Sequence, residues 1–226
     1  MIYLNLGRRR VGKTTLARYM AHARRPQIVI DPRAQWAKRP NAKFFSDVSA
    51  EDVESMLDTL DAGLDVVCQP EDLEFSVNRL AVVARTYLVN DETETKTLTV
   101  VADECGLYNL RAWSWMMRCS PYDRTSIILT AHRPRDIDPT IRALADKWCI
   151  FRTTQEHDLE VIESRCGEET KNHVQLLDNY QFVCWDDAVG EMTIHKNSAS
   201  WFTPDAAPLV GEKVPEKKRE RMLWDS

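Results

Sequence analysis

Residues 7–15 read GRRRVGKTT. A glycine, four residues, then Gly12-Lys13-Thr14 fits the phosphate-binding pattern G-x-x-x-x-G-K-[ST], which carries weight only between a strand and a helix. The flanks meet that condition. IYLNL (2–6) predicts a buried strand, and Lys13 to about Arg24 predicts the helix that leaves the loop. In such a loop the backbone of Gly7, Arg8, Arg9, Arg10, Val11, Gly12, Lys13, Thr14 and Thr15 faces phosphate, helped by the helix N-terminus. Lys13 is expected to neutralise β- and γ-phosphate charge and the Thr14 hydroxyl to ligate Mg2+, so the expected ligand is ATP with Mg2+. Many P-loop ATPases carry a third glycine where Arg10 stands. The three arginines are open to two readings: contact with phosphate or a neighbouring subunit, or solvated loop charge.

Working outward, short apolar runs alternate with amphipathic stretches. QIVID (27–31), LDVVCQ (64–69), KTLTVVADE (96–104), TSIILTAH (125–132) and KWCIFRT (147–153) predict strands. AEDVESMLDTLDAG (50–63), capped by Ser49, EDLEFSVNRLAVVARTYLV (71–89), LYNLRAWSWMMRC (107–119), a short helix from Pro139, and EHDLEVIESRCG (156–167) predict helices. QFVCWDD (181–187) and EMTIHK (191–196) predict a hairpin. Such alternation implies an α/β fold with a mostly parallel sheet and helices on both faces. From Ala199 the chain turns proline-rich and charged, so residues 1–198 are expected to form the nucleotide-binding domain and 199–226 an extended tail.

A P-loop needs an acidic partner strand, and VVADE (100–104) supplies one. Asp103 is expected to hold Mg2+, and Glu104 to polarise the attacking water. An adjacent acidic pair at a strand end is also found as a plain cap, but it gains meaning beside Gly7–Thr14. The strand SIILTA (126–131) ends at His132, and Thr130 and His132 are the candidates for sensing the γ-phosphate.

Composition constrains the partners less. The net charge is −5, which excludes a uniformly basic nucleic-acid binder but not local basic loops. The 43% hydrophobic and 29% charged residues describe a soluble globular chain, and no apolar run reaches the roughly 20 residues needed to span a bilayer. The start MIYLNLG lacks a charged leader, so no secretory signal is expected. The six cysteines form no C-x-x-C pair; reduced thiols in a cytoplasmic protein are expected and zinc is not.

GRRRVGKTT, IVIDP, VVADE and above all TSIILTAHRPRDIDPTIRALADKWCIFR (125–152) resemble the FtsK–HerA superfamily of DNA-pumping ATPases. Size and single domain look most similar to the genome-packaging ATPases of tectivirus-type, membrane-containing viruses. The resemblance covers roughly residues 1–155. It implies an α/β P-loop NTPase of the additional-strand, catalytic-glutamate type, assembled as a homo-oligomeric ring, commonly hexameric. It further implies threading of double-stranded DNA into a preformed capsid, work in the host cytoplasm or at a virion vertex, and contact with capsid vertex or portal proteins. The family usually has glutamine where His132 stands. In such rings an arginine from one subunit completes its neighbour's site; Arg142 and Arg124 are the leading candidates, with Arg118 behind them. The near alternative is a cellular or plasmid-borne DNA pump of the same superfamily, and two other classes stay open from the residues alone: a P-loop small-molecule kinase, which Glu104 argues against, and a nucleotide-dependent binding switch.

Overall fold

The apolar runs form one sheet. The computed structural model describes residues 1–36, 41–119, 123–195 and 212–213. Its strands are β1 (Ile2–Leu6), β2 (Gln27–Ile30), β3 (Ala42–Phe45), β4 (Asp65–Cys68) and β5 (Leu98–Ala102). The second half adds β6 (Thr125–Ala131), β7 (Lys147–Phe151), β8 (Phe182–Asp186), β9 (Glu191–His195) and β10 (Glu212–Lys213). Among the described residues these ten lie in the order β10-β9-β8-β7-β1-β6-β5-β2-β4-β3. From β7 to β3 all pairs are parallel; β8, β9 and β10 extend the sheet antiparallel. The strand β6 is inserted between the P-loop strand β1 and the acidic strand β5. The mostly parallel α/β sheet, with this strand inserted, agrees with the expected architecture.

Period-2 alternation sorts the faces. Leu4, Ile28, Ile30, Val66, Val100, Ile127 and Leu129 point to one core, under α2 (Ala50–Asp61), α3 (Leu73–Val89), α4 (Ser114–Cys119), α5 (Pro139–Ala143) and α6 (Glu156–Leu176). Tyr3, Val29, Val67, Val101 and Ile128 point to the other, where α1 (Lys13–His22) packs through Ala17 and Ala21. Helices therefore cover both faces, unequally. The α2 start is a capping box: the Ser49 N–H donates to Asp52 Oδ2 at 2.8 Å and the Asp52 N–H to Ser49 Oγ at 3.2 Å.

Three readings need correction. Residues 107–119 do not form one helix: two 3-10 turns, Cys105–Leu107 and Arg111–Trp113, precede α4. Asn109 Oδ1 accepts the Arg111 N–H at 2.8 Å, a local bond that competes with the helical ladder. Helix α6 does break at Gly167 (φ 84°, ψ 164°), but the chain resumes helical geometry to Leu176 instead of stopping. The strand β3 was not anticipated; its four residues expose Lys43 and Phe44 at the sheet edge, so no clear apolar run marks it. The Trp/Met stretch is core: Trp113, Met116 and Met117 are buried. Of the 199–226 tail, only Glu212–Lys213 lies among the described residues, paired antiparallel with Thr193 and Ile194. Among the described residues no helix is long and apolar enough to cross a membrane.

Candidate nucleotide-binding site

The C-terminal ends of β1, β6, β5 and β2 meet along one edge of the sheet, where open α/β folds bind ligands. From β1 the chain enters the loop through Gly7, at φ +153°, and an added Cβ there would lie 2.7 Å from Phe151 Cβ. Gly12 leaves the loop at φ +109° as the residue before α1. Arg10 takes φ +64°, the left-handed conformation that the more usual glycine adopts freely. Arg8, Arg9 and Arg10 are exposed, and Arg8 hydrogen-bonds Thr154.

Lys13 is buried, and its Nζ donates to the Gly7 carbonyl at 2.7 Å and the Arg8 carbonyl at 2.9 Å. Burial pushes its ammonium down from the ordinary lysine value, opposed by Glu104 and Asp103. The same Nζ lies 3.2 Å from His132 Nδ1. With Lys13 donating there, the neutral ring carries its proton on Nε2, which lies 2.9 Å from Glu104 Oε2, outside hydrogen-bond alignment. Burial, then the Lys13 charge, hold His132 below the ordinary imidazole value. Lys13, His132 and Glu104, widely separated in sequence, thus form one cluster.

Asp103 faces α1. The Thr14 hydroxyl is 3.3 Å from both its carboxylate oxygens, and Thr130 Oγ1 donates to Oδ1. Burial raises its carboxyl above the ordinary aspartate value, against the hydrogen bonds from Thr130 and Trp36. Glu104 follows at φ 53°, ψ 43°, a left-handed backbone that costs about 1–2 kcal/mol in a non-glycine residue. Its N–H donates to Thr130 Oγ1 at 2.9 Å, which holds that turn against the neighbouring strand.

One contributor was not read from the sequence. Trp36 Nε1 donates to Asp103 Oδ2 at 3.0 Å, and the indole is 1% exposed. Asp31, at the end of β2, accepts the Gln35 and Trp36 N–H groups at 2.8 and 2.7 Å and so shapes the turn carrying that indole. Asp31 was visible only as part of IVIDP, and nothing near Trp36 marked it. Trp36→Phe is expected to cost about 2 kcal/mol, the worth of a buried hydrogen bond to a charged group, and to raise the Mg2+ concentration for half-maximal hydrolysis. Thermal unfolding and a Mg2+ titration check it; an unchanged titration would leave Trp36 a packing residue only.

The residues present fit a nucleotide with Mg2+. The two glycines at positive φ make room for backbone to approach phosphate, and the Thr14–Asp103 pair offers two oxygen ligands of the kind Mg2+ takes beside phosphate and water. The structure does not bring Arg124 or Arg142 to this cluster. Arg124 precedes β6 and pairs with buried Asp91 at 3.3 Å, at the opposite edge of the sheet. Arg142 lies half-buried on α5 with Nε lacking a hydrogen-bond partner, and Arg118 is exposed on α4.

No protein-family model matches the chain, and no curated protein matches it in sequence. Solved structures do. The genome-packaging NTPase B204 of Sulfolobus turreted icosahedral virus 2, in complex with ATP-gammaS, superposes with TM-score 0.66 at 19% identity, over 86% of this chain and 96% of that one. Its complex with sulfate gives TM-score 0.68 at 19% identity, over 86% and 95%. The DNA-packaging ATPase B204 of Sulfolobus Turreted Icosahedral Virus gives TM-score 0.66 at 20% identity, over 86% and 96%. The chain has the fold of these packaging NTPases. As fold, the likeness covers 86% of the chain.

Proposed function

We propose that this protein hydrolyses ATP with Mg2+ to drive double-stranded DNA, as the motor that fills a viral capsid. The observation that carries the reading is the meeting of Lys13, Thr14, Asp103, Glu104 and His132 on three adjacent strand ends, with β6 inserted between β1 and β5. The likeness to B204, described as a genome-packaging NTPase, supports the choice of cargo.

In this reading the loop from Gly7 to Thr15 binds the phosphates and Lys13 neutralises their charge. Thr14 and Asp103 hold Mg2+, which supplies electrostatic stabilisation of the transferring phosphoryl group. Glu104 accepts the proton of the attacking water, its carboxylate 2.9 Å from the His132 ring. His132, neutral and facing both Lys13 and Glu104, is the sensor between phosphate and base. Arg142 or Arg124 from a neighbouring copy completes the site in a homo-oligomeric ring, a hexamer by family resemblance. Capsid vertex or portal proteins are its partners in the host cytoplasm or at the virion vertex.

Steady-state hydrolysis with and without long double-stranded DNA tests the reading. Turnover is expected to rise several-fold with DNA, and the rise to shrink with added salt as phosphate contacts are screened. Robust hydrolysis indifferent to DNA at low salt would sink the motor and leave the binding-switch or small-molecule reading.

A further inference from the structure

The antiparallel end of the sheet holds chemistry that nucleotide hydrolysis does not use. Cys149 in β7 and Cys184 in β8 sit directly opposite each other, and Cys149 Sγ donates to Cys184 Sγ at 3.8 Å. Cys149 is fully buried, and Cys184 is partly buried against the same apolar cluster. Opposed residues of an antiparallel pair have Cα atoms about 4.5–5.5 Å apart, inside the span of about 4.4–6.8 Å that a disulfide tolerates. The backbone is therefore already in place, and only a side-chain rotation brings the sulfurs to the bonded distance.

The surroundings give the two thiols different roles. The hydrogen bond from Cys149 holds Cys184 down, to about 6, aided by His195 and Lys147 against burial. The partner Cys149 is pushed up by the same hydrogen bond and by burial, and keeps its proton. His195 is fixed by stacking on Phe182, with centroids 4.6 Å apart, and by Thr193 Oγ1 at 3.0 Å from Nε2. A partly buried thiol of lowered pKa directly opposite a second thiol is the arrangement of a peroxide-reactive pair.

We propose that Cys149 and Cys184 are a reversible oxidation site, closed to a cross-strand disulfide by hydrogen peroxide. The Cys184 thiolate attacks one peroxide oxygen and the O–O bond breaks, giving the sulfenic acid; the leaving hydroxide becomes water with the proton that Cys184 lost on ionising. The Cys149 sulfur then attacks the Cys184 sulfur; the S–O bond breaks, and the leaving hydroxide takes the Cys149 proton as water. Two thiol sulfurs are oxidised and one peroxide is reduced to two waters. The bond ties β8 to β7, whose Cys149 packs with Val11, Leu16 and Phe151 beneath the phosphate loop.

The test treats the full chain, with exposed Cys119 changed to Ser to remove intermolecular coupling, with hydrogen peroxide and then maps its thiols by mass spectrometry. A Cys149–Cys184 bridge reversed by dithiothreitol is expected, with Cys68, Cys105 and Cys166 left reduced. Cys184→Ser should abolish the bridge. Cys149→Ser, which keeps a donor to Cys184 but removes the second sulfur, should leave Cys184 as a sulfenic acid that a cyclic diketone traps. Both sulfurs unmodified in the folded chain, or Cys184 carried to sulfinic acid with Cys149 still free, would overturn the proposal.

Discussion

Glu104→Gln is expected to lower ATP turnover by about 10²–10⁴-fold, the usual contribution of a positioned general base, while nucleotide affinity stays near the wild-type value. The substitution keeps side-chain length and leaves the backbone hydrogen bond from residue 104 to Thr130 intact, so the left-handed turn survives. What it removes is the proton acceptor facing His132 at 2.9 Å. Affinity is held by other atoms, chiefly Lys13 and the loop backbone. Single-turnover hydrolysis together with equilibrium binding of a non-hydrolysable ATP analogue separates the two effects. A loss of less than about tenfold, below that contribution, would move the base to another group and remove the reason for the strained turn. Retained DNA stimulation in the variant would equally argue against Glu104 as the coupled step.

The second large effect is expected at Gly7→Ala. A methyl group there meets Phe151 Cβ at 2.7 Å and Val11 Cγ2 at 3.1 Å, on a backbone with φ +153°. Neither neighbour yields easily: the first is a Cβ fixed to strand β7, and the second is part of the same loop. Backbone strain of about 1–3 kcal/mol adds to overpacking of similar size. The loop must shift, and Lys13 loses the Gly7 carbonyl that it now grips, so nucleotide binding should fall below detection in a calorimetric titration. Gly63→Ala is the control. It shares a positive φ, +71°, but has nothing within 4 Å of the new methyl. It should lose about 1–2 kcal/mol of stability and keep its nucleotide affinity. Equal binding losses in the two variants would mean that loop contact with Phe151 is irrelevant.

Sequence alone determined the parts whose physics is local. The P-loop is one contiguous run, so its spacing encodes its own backbone path. The Ser49 cap acts within one turn. The near-continuous apolar runs of β1, β2, β5 and β6 declare two-sided burial without reference to any partner. Asp103 and Glu104 were legible because they end such a run. His132 was legible by position, as the first residue past β6. Local pattern misled at three places: Asn109 broke the expected helix at residues 107–119, Gly167 interrupted α6 without ending it, and the exposed edge erased the signal of β3.

The tertiary structure decided whatever depends on strand order. Sixty-seven residues separate Trp36 from Asp103. One hundred and nineteen separate Lys13 from His132. No spacing rule spans such gaps, because side chains meet there only after β6 has inserted between β1 and β5 and the strand ends have aligned. The same holds for Phe151 behind Gly7 and for Cys149 opposite Cys184, each set by parallel or antiparallel register. Contiguous residues specify a conformation through their own dihedrals and hydrogen bonds; distant ones acquire roles only through the sheet that brings them together.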